Sequence, residues 1–158
     1  MPHHSPRFVL VLAAGKGSRM GSADKHKVCF EVDGRPVINR ALENYLGSGI
    51  RQPVVVVGAL ANQVMATIAL EHSGVIYAYQ PEQLGTGNAT RVGLQVIEMA
   101  LDGADADVLL VAGDRIVDPK ALQLLYDAYY DGGCDIAFLV AQRSPDSQQG
   151  RVVFDSTG

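Results

Sequence analysis

Four runs of apolar and β-branched residues constrain this chain most: "RFVLVLAA" (7–14), "PVVVVG" (53–58), "VIYAY" (75–79) and "DVLLVAG" (107–113). None alternates polar with apolar residues, so each predicts a strand buried on both faces. Between them the apolar spacing turns helical. Val37, Ile38, Ala41, Leu42, Tyr45 and Leu46 share one face, with Pro36 in the first turn and Gly47 or Gly49 as the stop. Residues 61–70 form a second helical stretch. Ala89, Val92, Val96, Ile97 and Ala100 line a third. Asp118 and Pro119 open a fourth, with Leu122, Leu125 and Tyr129 inward. "DIAFLVA" (135–141) and "GRVVFD" (150–155) are expected as a fifth and sixth strand. Strictly alternating strands and helices predict an α/β protein: a three-layer α/β/α, doubly wound, mostly parallel sheet.

The 158 residues suffice for one domain with a core. With 13 basic and 17 acidic residues the net charge is −4, which argues against a broad nucleic-acid surface. No apolar run approaches the ~20 residues of a membrane span. Cys29 and Cys134 form no paired motif and are expected as reduced, buried thiols of a cytoplasmic protein. His3, His4 and His72 are assigned no role.

In a parallel sheet, ligands bind beyond the carboxyl ends of the strands. Three loops qualify: 14–27, 80–86 and 113–118. The first, "AAGKGSRMGSADKHK" (13–27), carries Gly15, Gly17 and Gly21 and five basic side chains: Lys16, Arg19, Lys25, His26 and Lys27. Glycines admit backbone N–H groups to an oxyanion, and Lys and Arg supply charge. The loop therefore predicts a polyphosphate cradle. It is not a P-loop, because the spacing of Gly-Lys-Ser/Thr is absent. It is not a dinucleotide fingerprint either: Gly21 falls four residues after Gly17, and the second strand ends without an acid.

"LAAGKGSRM" resembles the signature loop of the sugar-1-phosphate nucleotidyltransferases, approximately L-A-A-G-x-G-T/S-R-M. The resemblance implies that Leu12, Ala13, Ala14, Gly15, Lys16 and Gly17 wrap a nucleoside triphosphate, with Lys16 and Arg19 on its phosphates. A second family lysine follows in P-K-V-L. Here the run is "KHKV", with His26 in place of proline and one extra residue. Lys27 matches that lysine, with Lys25 as the alternative; Arg19 and Lys27 are the implied catalytic residues. "VDGRPVI" is similar to the family's turn into the first helix.

"QPEQLGTGNA" (80–89) places glutamines, whose amides pair with base edges, beside glycines, and Thr86 where it can cap a helix. The string is similar to Q-x-E-Q-L-G-T-G-x-A of the N-acetylglucosamine-1-phosphate uridylyltransferases. That likeness implies Gln80, Gly85 and Thr86 on a uracil, with Gln83 supporting the loop. Asp114 ends the fourth apolar run, where a carboxylate facing triphosphate suits Mg²⁺. It matches the aspartate of the family's G-D-x-P-L, although Ile116 and Val117 replace Pro-Leu and Arg115 precedes them. A residual role for Arg115 is to bind an acidic acceptor. Gly150 matches the second glycine of G-Y-G-R-I, which approaches the sugar.

The resemblance covers residues 8–154. It implies a Rossmann-like nucleotidyltransferase fold, C-terminally incomplete: residues 1–158 are expected to be the nucleotide-binding part, with the acceptor-binding remainder absent. The implied reaction joins a nucleoside triphosphate, UTP favoured, to a sugar-1-phosphate, N-acetylglucosamine-1-phosphate favoured, with Mg²⁺ and release of pyrophosphate. The alternatives are a CTP or GTP enzyme with another phosphate acceptor, or a non-catalytic module that binds a nucleotide or UDP-sugar. No nucleic-acid or membrane partner is implied.

Overall fold

The computed structural model describes residues 7–15, 17, 24–141 and 153. Its strands are β1 (Phe8–Ala13), β2 (Glu31–Val32), β3 (Arg35–Pro36), β4 (Gln52–Val57), β5 (Ile76–Tyr79) and β6 (Val108–Ala112). Its helices are α1 (Val37–Gly47), α2 (Ala61–Ala69), α3 (Thr86–Leu101) and α4 (Pro119–Gly132). A 3₁₀ turn spans Lys27–Cys29. β2 and β3 form a small antiparallel hairpin at the Asp33–Gly34 turn.

The main sheet is parallel throughout, in the order β5-β4-β1-β6. β1 is central, pairing Phe8 to Ala13 with Gln52 to Val57, and Phe8 to Leu12 with Val108 to Ala112. From β1 the chain steps outward to β4 and β5, then returns across the sheet to β6. Right-handed crossovers put the connecting helices of the two directions on opposite faces. Accordingly α1 and α2 cover one face and α3 the other, which bears out the doubly wound expectation.

Strand residues divide by parity. Val9, Val11, Ala13, Val55 and Val57 face α1, α2 and α4, packing with Ile38, Leu42, Tyr45, Val64, Ile68, Leu122 and Tyr126. Phe8, Leu10, Val54, Val56 and Ala78 face α3, packing with Ala89 and Ile97. Each fully buried side chain of this size stabilises by about 1.5–3 kcal/mol relative to exposure. α3 lies unusually close to the sheet at Gly93, where a Cβ would stand 2.3 Å from Leu10 Cδ1 and 2.9 Å from Val56 Cγ2.

The caps follow the sequence with two adjustments. Asp118 Oδ1 accepts from the Lys120 N–H at 2.7 Å, with Pro119 first in α4, as expected. Pro36 is the residue before α1 rather than within its first turn. α3 has Gly85 at its N-cap and Thr86 as its first residue, with no side-chain cap, so Thr86 does not cap it.

Four further expectations are corrected: the strand over 135–141, the inward Ala100, the inward Tyr129 and the burial of Cys134. Residues 135–141 form no strand; Ile136, Phe138, Leu139 and Val140 are exposed. A strand needs a ladder partner, and apolar composition alone supplies none. Of the run 150–155 only Val153 is among the described residues, and it is exposed and outside any strand. Ala100 is exposed, and in α4 the fully buried ring is Tyr126 rather than Tyr129. Cys29 is buried but Cys134 is exposed; both are free thiols.

Candidate active site

The return from β5 to β6 creates a switch point between β1 and β6, and their carboxyl ends open into a cleft there. A cavity of ≈ 320 Å³ is lined by Leu12, Ala14, Gly15 and Ala112 at its base. Lys27 stands on one side; Gln80, Gln83, Gly85, Thr86 and Ala89 stand on the other. Two loops separated by more than fifty residues in sequence thus share one cavity.

One wall is charged. Lys27 Nζ donates to Asp114 Oδ2 at 2.9 Å, with side chains 27% and 41% exposed. Burial acts to raise the Asp114 pKa, but the Lys27 hydrogen bond and charge, helped by Arg115, outweigh it and hold it below the ordinary aspartate value. Gly113 lets the two come together. A Cβ there would stand 3.0 Å from the Leu12 carbonyl and 3.3 Å from Val28 Cγ1, beside the Lys27 turn. Gly17 has φ +63°, and its Cα side rests on the Lys27 stem, 3.2 Å from Cβ to Cβ if a side chain were present. α1 holds the Asp114 loop from below: Tyr45 Oη donates to the Arg115 carbonyl at 2.8 Å and Asn44 Nδ2 to the Val117 carbonyl at 2.9 Å.

The other wall is uncharged. Gln80 is buried, and its Nε2 donates to Asn88 Oδ1 at 2.7 Å and more weakly to the Gly85 carbonyl at 3.4 Å. Gln83 Nε2 donates to the Ala14 carbonyl at 3.1 Å, tying this loop to the glycine loop. No side chain caps α3, and Gly85 and Thr86 at its N-terminus line the cavity, where a helix N-terminus favours negative charge.

The turn that presents Lys27 is built on His26, which the sequence marks as a basic residue in place of proline, and on Gln63, which it does not mark. His26 is fully buried; its Nδ1 accepts from the Val28 N–H at 3.3 Å. Its own N–H donates to Gln63 Oε1 at 2.5 Å, and Gln63 Nε2 donates to the Asp24 carbonyl at 3.0 Å. Burial is the main influence on the imidazole and, with Lys27, lowers its pKa; the Gly15 backbone and Asp114 act in the opposite sense. His26 is therefore a neutral, interior ring, not one of five cations of the loop. Lys25 lies with its ammonium 5.3 Å from the Phe30 ring centre. Lys27 lines the cavity and Lys25 does not. Cys29, below the turn, has its thiol pKa raised by burial and accepts from Thr67 Oγ1 at 3.3 Å.

Of the residues assigned from the sequence, Leu12, Ala14, Gly15, Lys27, Gln80, Gln83, Gly85 and Thr86 line this one cavity, and Asp114 joins it through Lys27. The Ala13 methyl belongs to the core under α1 and α2, so only its backbone can face a ligand. Lys16, Arg19, Gly21 and Gly150 lie outside the described residues. Arg115 has an exposed side chain.

A magnesium ion bound with triphosphate takes one or two protein carboxylates, the rest of its oxygens coming from phosphate and water. A single carboxylate at the cleft is compatible with that donor set; among the described residues no group of three or more His, Cys, Asp or Glu converges. No helix among them is long and apolar enough to cross a membrane.

The chain is 35% identical over 160 residues to the bifunctional protein GlmU of Sorangium cellulosum, and 33% identical over 153 residues to that of Lactococcus lactis. These matches cover 98% and 96% of this chain but 33% and 32% of those proteins, so the chain spans about a third of their length. In structure it resembles the UDP-glucose pyrophosphorylase from Acinetobacter baumanii (TM-score 0.66, 21% identity, 80% of this chain and 53% of that one). It also resembles a nucleotidyl transferase from Methanothermobacter thermautotroptrophicus (TM-score 0.62, 24% identity, 76% and 56%). Residues 9–150 match the model of the MobA-like NTP transferase domain, and the chain belongs to that nucleotidyltransferase family.

Proposed function

We propose that the cleft joins UTP to N-acetylglucosamine-1-phosphate, releasing pyrophosphate and forming the UDP-sugar. The observation that carries this reading is the Lys27–Asp114 pair at the edge of a cavity whose other rim is the Gln80–Thr86 loop. An oxygen of the sugar-1-phosphate attacks the α-phosphorus, the bond to the β-phosphate oxygen breaks, and pyrophosphate leaves with that electron pair. The attacking group is already an anion, so no general base and no covalent enzyme intermediate are required. The protein's work is positioning and charge neutralisation. Lys27 holds the α-phosphate, where charge develops; Lys16 and Arg19 hold the β- and γ-phosphates. Gln80, Gly85 and Thr86 present the base-reading edge, Gln83 braces it, and Gly150 approaches the sugar. Leu12, Ala13, Ala14, Gly15 and Gly17 supply the backbone of the cradle.

Asp114 is the residue that would hold Mg²⁺, which when bound neutralises phosphate charge. In the ligand-free protein Lys27 neutralises Asp114 instead. An exposed pair of this kind contributes only about 0–1 kcal/mol, so substrate can separate it at little cost. The 158 residues are the nucleotide-binding part of the activity on this reading, and the protein acts in the cytoplasm.

The test is pyrophosphate release over a panel of UTP, CTP and GTP with N-acetylglucosamine-1-phosphate, glucose-1-phosphate and polyol phosphates, with and without Mg²⁺. Release with UTP and N-acetylglucosamine-1-phosphate, abolished by chelator, is the expected result. Release with CTP or GTP alone would reassign the base. Tight UTP binding with no release under any pairing would make the chain a binding module.

A further inference from the structure

Asn88 stands at a position that the uridylyltransferase-like string leaves open, yet its side chain decides which way Gln80 faces. Gln80 is 3% exposed and lines the cavity. Its backbone is fixed to the sheet, the N–H donating to the Val57 carbonyl at 2.8 Å. A glutamine amide has one end with two hydrogens and one end that only accepts. In Gln80 the donor end is taken up by the protein: Nε2 donates to Asn88 Oδ1 at 2.7 Å and to the Gly85 carbonyl at 3.4 Å. The second bond is long, but a carbonyl never donates, so it settles the direction of both amides. Turning the Gln80 amide over would set Oε1 against that carbonyl and against Asn88 Oδ1, and both bonds would be lost. Oε1 has no hydrogen-bond partner among the described residues, and it is not closed off from the cavity that Gln80 lines. This buried amide therefore shows a ligand an acceptor and no donor.

We propose that Asn88 determines the base specificity of the cleft: by holding Nε2 it fixes Gln80 Oε1 toward the cavity, so that the site takes a pyrimidine whose N3 carries a hydrogen, uracil, and rejects cytosine. The proposal rests on the nucleotide reading of the cleft. Uracil N3–H can donate to the fixed oxygen. Cytosine N3 carries a lone pair instead, so two acceptors would stand opposed with no hydrogen between them. A freely turning glutamine would discriminate poorly, because it could meet cytosine N3 with Nε2. The preference thus belongs to the Asn88–Gln80 pair rather than to Gln80 alone. Asn88 acts through Gln80 and is a positioning residue.

The whole protein is titrated calorimetrically with UTP and with CTP, each with Mg²⁺, in the wild type and two variants. Asn88→Ala frees Nε2 and lets the amide turn. Its preference for UTP over CTP is expected to fall about tenfold, the scale of one hydrogen bond made by the wrong base. Asn88→Asp keeps an oxygen in the place of Oδ1, and its charge acts on both nucleotides alike. Its preference is expected to stay within about twofold of the wild type. A merely structural role for Asn88 would weaken both nucleotides equally. The readout independent of affinity is the ¹⁵N–¹H signal of the Gln80 side chain. Its two hydrogens should exchange slowly with solvent in the wild type and in Asn88→Asp, and fast in Asn88→Ala. If Asn88→Ala does not fold, the wild-type signal and Asn88→Asp decide. An unchanged preference in Asn88→Ala, a preference lost in Asn88→Asp, or free exchange of the wild-type amide overturns the proposal and leaves the nucleotide reading intact. So does a wild-type protein that binds CTP as tightly as UTP. A wild-type protein that binds no nucleoside triphosphate overturns that reading, and the proposal with it.

Discussion

The wall of the cleft that carries Lys27 and Asp114 stands on α1 and α2, whereas the wall that carries Gln80, Gln83 and Gly85 stands on α3 and the carboxyl ends of β4 and β1. The first is tied down by polar bonds from below: Tyr45 and Asn44 hold the Asp114 loop, and Gln63 holds the turn before Lys27. The second depends on how closely one helix approaches the sheet at Gly93, and on the bonds of Gln80 to Asn88 of α3 and to the Val57 carbonyl. The difference teaches that charge and recognition are built separately. The charged wall is fixed by the larger core and suits chemistry that fails with small displacements. The amide wall needs only to be at the right height above Ala14, which Gln83 reaches across to bind.

The largest effect expected from this division is on turnover. Lys27→Ala should lower kcat/KM by about 10²–10³-fold, the usual cost of removing one group that meets developing charge. Its unfolding free energy should change by less than about 1 kcal/mol, because the ion pair it breaks is solvent-exposed. Pyrophosphate-release kinetics and urea unfolding on the same preparation check both. A large stability loss with proportionate activity loss would break the comparison, since the charged wall would then be structural.

Gly93→Val strikes the other wall through its support. The new side chain collides with Leu10 and Val56, so about 1–3 kcal/mol of stability should be lost in urea unfolding. If the variant instead keeps wild-type stability, α3 is not held to the sheet by that close approach. Tyr45→Phe sharpens the charged side. It removes one hydrogen bond to the Arg115 carbonyl and should cost about 0.5–1.5 kcal/mol. It should also lower kcat without altering the preference among UTP, CTP and GTP.

The smallest effect is one of pH. The His26 pKa is lowered on folding, chiefly by burial, so the unfolded chain takes up this proton first as pH falls. The contribution of the neutral ring is therefore complete above about pH 6.5, the ordinary histidine value, and is lost progressively below it toward the folded pKa. Asn does not titrate there. The stability difference between the wild type and His26→Asn should narrow as pH falls from 7 to 5; a difference that does not vary with pH would contradict a buried neutral ring.

Much of the fold was legible because the sheet strands carry their burial in their own composition. The residues of β1 and β4 are apolar on both parities because helices cover both faces. Residues 135–141 have the same composition and form no strand, because pairing depends on a neighbour that composition does not specify. The site's position was legible where residue type implies chemistry: Gly15, Gly85, Lys27, Gln80 and Gln83 line one cavity, and Asp114 pairs with Lys27 at its edge. What stayed hidden was everything set by burial. His26 counts as a basic side chain in a string of letters, and only the interior around it makes it neutral. Gln63 and Asn88 are ordinary helix residues until the fold brings them to His26 and Gln80. The Lys27–Asp114 pair was likewise invisible, since each suggested a ligand of its own and neither suggested the other.

The claim that this cleft transfers a nucleotidyl group is tested most directly by following the α-phosphorus. UTP labelled at that atom is incubated with N-acetylglucosamine-1-phosphate and Mg²⁺, and the products are separated. The label should appear in the UDP-sugar in the wild type, in step with unlabelled pyrophosphate, and should fall to a small fraction of that rate in Lys27→Ala. Label that stays in UTP, or that leaves as UMP without entering a sugar nucleotide, would contradict it.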